Sequence, residues 1–424
     1  MGTWLPGDLD QGATAMDDRA LYQTILGLTT PWEVERVELR EATQEVDVWV
    51  AAATGTAFGC PQCAAVSPVY DHVERRWRHL DTCQFRTLLC ARVPRVRCAT
   101  HGVTTVRVPW AEPGSRFTLL LERLAIAWLQ DATPTAVGRR LGLSWDEARG
   151  IMERAVRRGL ARRTTAPVAR LGIDEKSFLK RHQYVSVVVD LDRGCVPHVA
   201  DDRKATSLTP YFTALTPAQR EGITAVAMDM WEPYCTTVRA HVPDADAKIV
   251  FDKFHIMQHV GAAVDTVRKQ EHQVLSAAGD TRITRTKYAW LTNPANMARR
   301  ARRAFAALRD STLKSARAWA MKESLRRLWH YTYVGAARTF FRRWYGWAMR
   351  SQLEPMKKLA RMLKAHLENI LTYLTHRITN AVTEGLNAKI QWIKYGARGY
   401  RNRDAFKMAI YFHCGKLDLE PRPS

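Results

Sequence analysis

Apolar and polar residues alternate through residues 34–52, where Val37, Leu39, Val46, Val48 and Val50 are separated by polar neighbours. A period of two predicts a pair of strands with one buried face. The β-rich pattern continues over 70–106, carried by Trp77, Leu80, Phe85, Leu88, Val93 and Val96, and closes at Pro109, Pro113 and Gly114. Helical spacing then takes over at 117–129 and 134–141. Gly142 breaks it, and Ser144 with Glu147 forms a capping-box start for a third helix running through Ala155. Two short helices joined by a glycine turn make a helix-turn-helix, an arrangement shared by DNA readers and by ordinary helical hairpins. Strands return at 168–173, 184–191, 223–228 and 248–251, with a helix over 233–241. Beyond His255 the spacing is helical to about Tyr373, and 380–414 reads as a helix, a basic turn over 396–401 and another helix.

With 424 residues the chain exceeds one compact core. The pattern therefore divides into four parts: a β-rich module over 1–110, the helix-turn-helix over 111–165, an α/β domain over 166–260 and 374–424, and a helical segment over 261–373. Trp290, Trp319, Trp329, Trp344 and Trp347 of that segment read chiefly as bundle core, with base stacking as the alternative. No apolar run is long enough to span a bilayer. Asp8, Asp10, Asp17 and Asp18 occupy the place where a secretion signal would carry positive charge, and the eight cysteines are mostly scattered. A cytoplasmic location and no membrane partner follow as expectations.

Charge changes the picture more. Against 42 acidic residues stand 64 Lys and Arg, a formal charge of +22. That excess points to a polyanion, with nucleic acid first.

Two short spacings carry metal chemistry. Cys60-Pro-Gln-Cys63 and Cys98-Ala-Thr-His101 each leave the two-residue gap that lets adjacent side chains hold one ion. Three thiolates and an imidazole predict a structural Zn2+ in a module too small to be stable by itself. Cys83 and Cys90 are the alternatives for the fourth place.

Asp174 follows the apolar run at 168–173, and Asp229 follows that at 223–228. Parallel neighbouring strands would set the two side chains together, where a divalent cation relieves their repulsion. Mg2+ or Mn2+, two ions per site and completed by a third carboxylate, would activate a hydroxyl and stabilise the leaving oxygen at phosphorus. Asp190, Asp192, Asp201, Asp202 and Asp252 compete for the same role.

The two knuckles, the helix-turn-helix, Gly172-Ile-Asp-Glu175, Ala227-Met-Asp-Met-Trp231 with Pro233 and Tyr234, Phe251-Asp-Lys-Phe-His255, and Thr379-Asn-Ala-Val-Thr-Glu-Gly-Leu-Asn-Ala-Lys389 together resemble the ISL3 family of bacterial insertion-sequence transposases, over nearly the whole chain. The family's knuckles often end in cysteine, and His101 stands in the last place here. The resemblance implies an α+β multidomain protein: a zinc-ribbon-like module, a helix-turn-helix, and an RNase H-like α/β catalytic domain with a large all-α insertion. It also implies a DDE triad on Asp174, Asp229 and Glu384.

Asn380, Asn387 and Lys389 share the helix of Glu384, with Lys394, Arg398 and Arg401 beyond it. With Trp145, Arg149 and Arg154 of the helix-turn-helix, the residues Asn387, Lys389, Lys394, Arg398 and Arg401 are the candidate DNA contacts. His255 and Asp252 fall near the expected metals, the histidine chiefly as a structural group. The resemblance implies binding of terminal inverted repeats and target DNA by a homodimer or higher oligomer, cleavage at the element ends, and joining of the 3′-OH to target. A non-catalytic zinc/helix-turn-helix regulator, a recombinase using Tyr395 or Tyr400, and an RNase H-fold nuclease without strand transfer are the rival readings.

Overall fold

The computed structural model describes residues 17–164, 166–179, 183–378 and 381–423. Thr379 and Asn380 of the motif quoted above, and Asp8 and Asp10, lie outside the described residues. The chain forms two compact units, residues 1–163 with 417–424, and residues 164–416.

In the first unit a helix, α1 (Asp18–Leu26), precedes the alternating stretch, which becomes β1 (Trp32–Arg40) and β2 (Glu45–Ala52). The two are antiparallel, with Val37 opposite Val48 and Leu39 opposite Val46. A short ribbon of β3 (Phe58–Gly59) and β4 (Val66–Ser67) leads to β5 (Val69–Arg78), β6 (Arg86–Cys98) and β7 (Gly102–Thr105). The sheet order is β1-β2-β6-β5, with β7 also on β6. Its core is aromatic: Trp110 meets Trp32 and Trp77 edge to face, at centroid distances of 5.0 and 5.5 Å.

Three helices follow, α2 (Leu119–Asp131), α3 (Pro134–Leu141) and α4 (Trp145–Arg162). Gly142 takes the left-handed conformation, φ 63°, that ends α3. Ser144 Oγ accepts from the Glu147 amide at 3.2 Å while Glu147 accepts from the Ser144 amide at 2.8 Å, which is the capping box the sequence predicts. Helix α4 runs about two turns beyond the expected end at Ala155, to Arg162. The extension receives the segment after residue 416: Gly159 has no side chain where Leu417 packs, and Arg158 and Arg162 donate to the carbonyls of Leu419 and Glu420. Residues 417–423 thus belong with the first unit, not with the α/β part to which 374–424 is assigned above.

The second unit is built on a five-stranded sheet of β8 (Arg170–Leu179), β9 (Gln183–Asp190), β10 (Cys195–Ala200), β11 (Ala225–Met228) and β12 (Ile249–Phe251), ordered β10-β9-β8-β11-β12. Strands β8, β9 and β10 pair antiparallel, and β8, β11 and β12 run parallel. Every residue of β11 and β12 is buried, as parallel strands covered on both faces require. The helices between these strands in sequence are α5 (Ala205–Thr213), α6 (Pro217–Glu221), α7 (Glu232–His241) and α8 (Ala245–Lys248).

From α9 (Lys253–Ala277) onward the elements are helical: α10 (Lys287–Leu291), α11 (Arg299–Arg309), α12 (Lys314–Arg326), α13 (Val334–Arg350), α14 (Glu354–Ala365), α15 (Leu367–His376), α16 (Ala381–Gly396) and α17 (Arg403–Cys414). The boundary expected at 260/261 falls inside α9, which continues without a break. Trp290, Trp329 and Trp344 are buried in this bundle and Trp319 packs on it, so four of the five tryptophans are core, while Trp347 is partly exposed. No helix among the described residues is long and apolar enough to cross a membrane.

Candidate active site

The parallel register decides which side chains meet. Ile173 pairs with Met228, and Met228 with Phe251. The next residues are Asp174, Asp229 and Asp252, so the three carboxylates stand on one level across three neighbouring strands. Asp174 does not end its strand, contrary to expectation. Strand β8 runs on to Leu179 because β9 pairs with it past that point, with Asp174 opposite Val187.

Asp174 is well supplied with donors. Its Oδ1 accepts from the Glu175 amide at 2.7 Å, and its Oδ2 accepts from Lys176 Nζ at 2.9 Å and Asn387 Nδ2 at 2.6 Å. His255 lies in the first turn of α9, three residues after its N-cap Asp252. That spacing lets Nδ1 reach back to Asp252 Oδ2 at 2.8 Å and also to Asp229 Oδ1. Burial pushes the imidazole pKa down, but the hydrogen bonds to Asp229 and Asp252 outweigh it and hold it at about 10. Burial pushes the Asp229 carboxyl up, against the hydrogen bond from His255.

One oxygen each from Asp174 and Asp229 and one nitrogen of His255 lie within 4.8 Å of one another. Three acids on one level need positive charge nearby. Here Lys176 and the His255 imidazolium provide it, in places where a divalent cation would serve. The donor set therefore fits a hard cation.

Glu384 stands outside that cluster. It is exposed on the first turn of α16 and lines a cavity shared with Phe251, Asp252, Phe254 and Arg326. Asn387, three residues on, makes the contact to Asp174 instead, so Glu384 and the bonded amide fall on neighbouring positions of one helix face. The helix approaches β8 closely: a Cβ at Gly172 would lie 3.0 Å from Thr383 Oγ1 and 3.1 Å from Leu191 Cδ2. Asn387 is thus a partner of Asp174, a role that sequence reading assigned to no residue; the same helical turn as Glu384 was the available signal.

The zinc knuckles close on one point. Cys63 Sγ lies 3.7 Å from Cys98 Sγ, and His101 Nδ1 lies 3.7 Å from Cys60 Sγ and 3.6 Å from Cys98 Sγ. Ligands at the usual zinc bond lengths form a tetrahedron with edges of about 3.5 to 3.8 Å, so the donors already have the spacing of a zinc site. The His101 and Thr100 amides hold the Cys98 thiol down at about 7, and the Gln62 amide lowers that of Cys60, which favours thiolates at these two positions; at Cys63 the Ala65 amide is outweighed by burial and the neighbouring thiols, which leave that thiol raised. Cys83 and Cys90 are absent from the cluster, and Cys90 is buried within β6.

The candidate DNA contacts separate. Trp145 is half-exposed, with the Arg149 guanidinium 5.3 Å above its ring and also paired to Glu153 at 2.8 Å. Arg154 points inward, which corrects the expectation: Nε donates to Glu122 Oε1 at 3.1 Å, and Glu122 is fully buried. A buried carboxylate without that partner would be strongly unfavourable. Lys394 Nζ donates to the Ser177 carbonyl at 2.7 Å. Lys389, Arg398 and Arg401 are exposed, and Arg398 and Gly399 take positive φ in the turn after α16.

Comparison with known proteins follows the same divisions. Residues 171–410 match an ISL3-type family described as transposase, 56–101 the zinc-finger of transposases IS204/IS1001/IS1096/IS1165, and 106–156 the helix-turn-helix domain of transposase family ISL3. The chain is 28% identical to the transposase for insertion sequence element IS1001 of Bordetella parapertussis, covering 93% of this chain and 98% of the relative. It is also 28% identical to the transposase for IS1557 of Mycobacterium tuberculosis, covering 91% of this chain and 93% of the relative.

Proposed function

We propose, from the premise that this chain belongs to the ISL3 transposase family, that it cleaves phosphodiester bonds at the ends of an insertion sequence and joins the freed 3′-OH to target DNA. The observation that carries this reading is the level row of Asp174 and Asp229 on parallel strands, with ligand atoms within 4.8 Å. Glu384 is the third acid of a DDE triad. It completes the site when its side chain turns from the cavity wall toward the aspartates, along the face that Asn387 already holds to Asp174.

Two Mg2+ or Mn2+ ions bound there would supply Lewis acidity to the attacking and leaving oxygens. The chain's own contribution is placement. Lys176 and Asn387 fix the Asp174 carboxylate, and His255 fixes those of Asp229 and Asp252. The central strand flanked by antiparallel β9 and β10 on one side and parallel β11 and β12 on the other supports an RNase H-like catalytic domain. The helices over 261–373 are its all-α insertion.

The zinc ribbon, held by Cys60, Cys63, Cys98 and His101, and the helix-turn-helix, through Trp145 and Arg149, bind the terminal inverted repeats. Lys389, Lys394, Arg398 and Arg401 face phosphates, and pairing two ends makes the active complex at least a homodimer.

The test is a cleavage and joining assay with Mg2+ on the inverted repeats that flank this coding sequence. Asp174→Asn, Asp229→Asn and Glu384→Gln are each expected to lower cleavage by about a thousandfold or more, the weight of several kcal/mol of metal stabilisation. Full activity in all three sinks the triad. Cleavage without joined products would mark a nuclease.

A further inference from the structure

The cavity beside the acids has a composition that metal binding does not explain. It measures about 380 Å³, within the range of small-molecule sites. Its lining combines the carboxylates of Asp252 and Glu384 with Phe251, Phe254, Met257 and Tyr373, and includes Arg326. Phe254 is 56% exposed, although its neighbours on α9 are a metal-site histidine and a lysine. The ring of His255 meets it edge on at 5.6 Å. Phe254 thus offers an exposed aromatic face within the lining of the cavity, against which a planar group can lie.

The occupant follows from connectivity. Asp252, on one level with Asp174 and Asp229, and Glu384, the third acid of the proposed triad, both line the cavity, so it opens beside the place proposed for the reacting phosphate and a group attached to that phosphate can enter it. Within a nucleotide the planar, apolar group so joined is the base. We infer that this cavity receives a nucleobase next to the cleaved bond, turned out of the helical stack and laid against Phe254. Arg326, anchored to Glu323 at 3.1 Å, and Lys253 present donors to acceptors on the base edge or to the neighbouring phosphate. The inference rests on the transposase reading and names the substrate element that its active site grips.

The experiment uses the full chain, Mg2+ and duplexes of the flanking inverted repeats, intact or with one abasic nucleotide walked through each position around the cleaved bond. Phe254→Ala removes the stacking surface from an exposed position and so leaves the fold intact, which circular dichroism checks. It is expected to lower cleavage of intact duplex about five- to hundredfold, the range for loss of one aromatic-base stack. Phe254→Trp should restore it. At one position next to the cleaved bond the abasic substitution should bring wild type and Phe254→Ala together, since no base then needs holding. Equal cleavage of intact duplex by both proteins overturns the assignment, and so does a defect that no abasic position relieves. No cleavage by the wild type overturns the transposase chemistry itself, and this inference with it.

Discussion

Gly172 shows how a single missing side chain positions the site. Thr383 and Leu191 close over it, so that α16 reaches β8 one turn before Asn387 and two residues before Asp174 in the strand. Gly172→Ala would insert a methyl at 3.0 Å from Thr383 Oγ1. Overpacking of this kind destabilises by about 1–3 kcal/mol, and the expected result is a lower Tm together with weaker cleavage, because Thr383, one turn before Asn387 on α16, must give way.

His79 gives a residue-scale test that avoids the metals. It is buried, with Nδ1 2.9 Å from Thr118 Oγ1, and burial, with the charge of Arg78, lowers its pKa to about 4. The folded state keeps the ring neutral while the unfolded chain protonates it below about 6.5. Stability is therefore lost as pH falls through that value and levels off below about 4. Urea unfolding at pH 7.5 and pH 5 should show a loss of about 2 kcal/mol from this group, absent in His79→Gln. Equal pH dependence in the two proteins would refute it.

At the scale of elements, α16 is the helix that reaches the row of acids, through the hydrogen bond from Asn387 to Asp174. Asn387→Ala removes one of the two side-chain donors on Asp174 Oδ2 and leaves Lys176. Loss of such an outer contact to a metal ligand costs about ten- to hundredfold in metal affinity or activity. The variant should lose that in cleavage at limiting Mg2+, recover partly at high Mg2+, and bind DNA unchanged in a gel shift. An unaltered Mg2+ dependence would leave Asn387 as packing alone.

The same scale shows what the sequence reveals and what it hides. Strands β11 and β12 are legible because continuous apolar runs end in an aspartate. The helix-turn-helix is legible because Gly142, Ser144 and Glu147 each have a local reason to be where they are. The run of β8 past Asp174 is not legible, since Glu175, Lys176 and Ser177 join the strand through the partner β9, a non-local cause. Strand β10 escapes for a related reason: Pro197 interrupts a short pattern that pairing completes with a register shift. The inward turn of Arg154 depends on Glu122, 32 residues earlier, being buried. The meeting of Cys60 and Cys63 with Cys98 and His101 is legible because each knuckle has a fixed short span.

For the whole molecule, the zinc knuckles make a separable test. One Zn2+ per chain is expected by elemental analysis, falling below half in Cys98→Ser. Chelation should strip hydrogen-exchange protection from β3 to β7, the strands that the site ties together, while the buried strands β11 and β12 keep theirs. Protection lost equally in both units would contradict a local, structural zinc.

The return of residues 417–423 to α4 also sets an order of events. The amino-terminal unit leaves the ribosome early but waits for roughly 250 further residues before Leu417 can cover Gly159, so its final packing is postponed until the intervening unit has been made. A polypeptide interrupted anywhere in between would expose a bare stripe on α4, and fragments released by premature termination should be recognisable to cellular proteases by that uncovered groove.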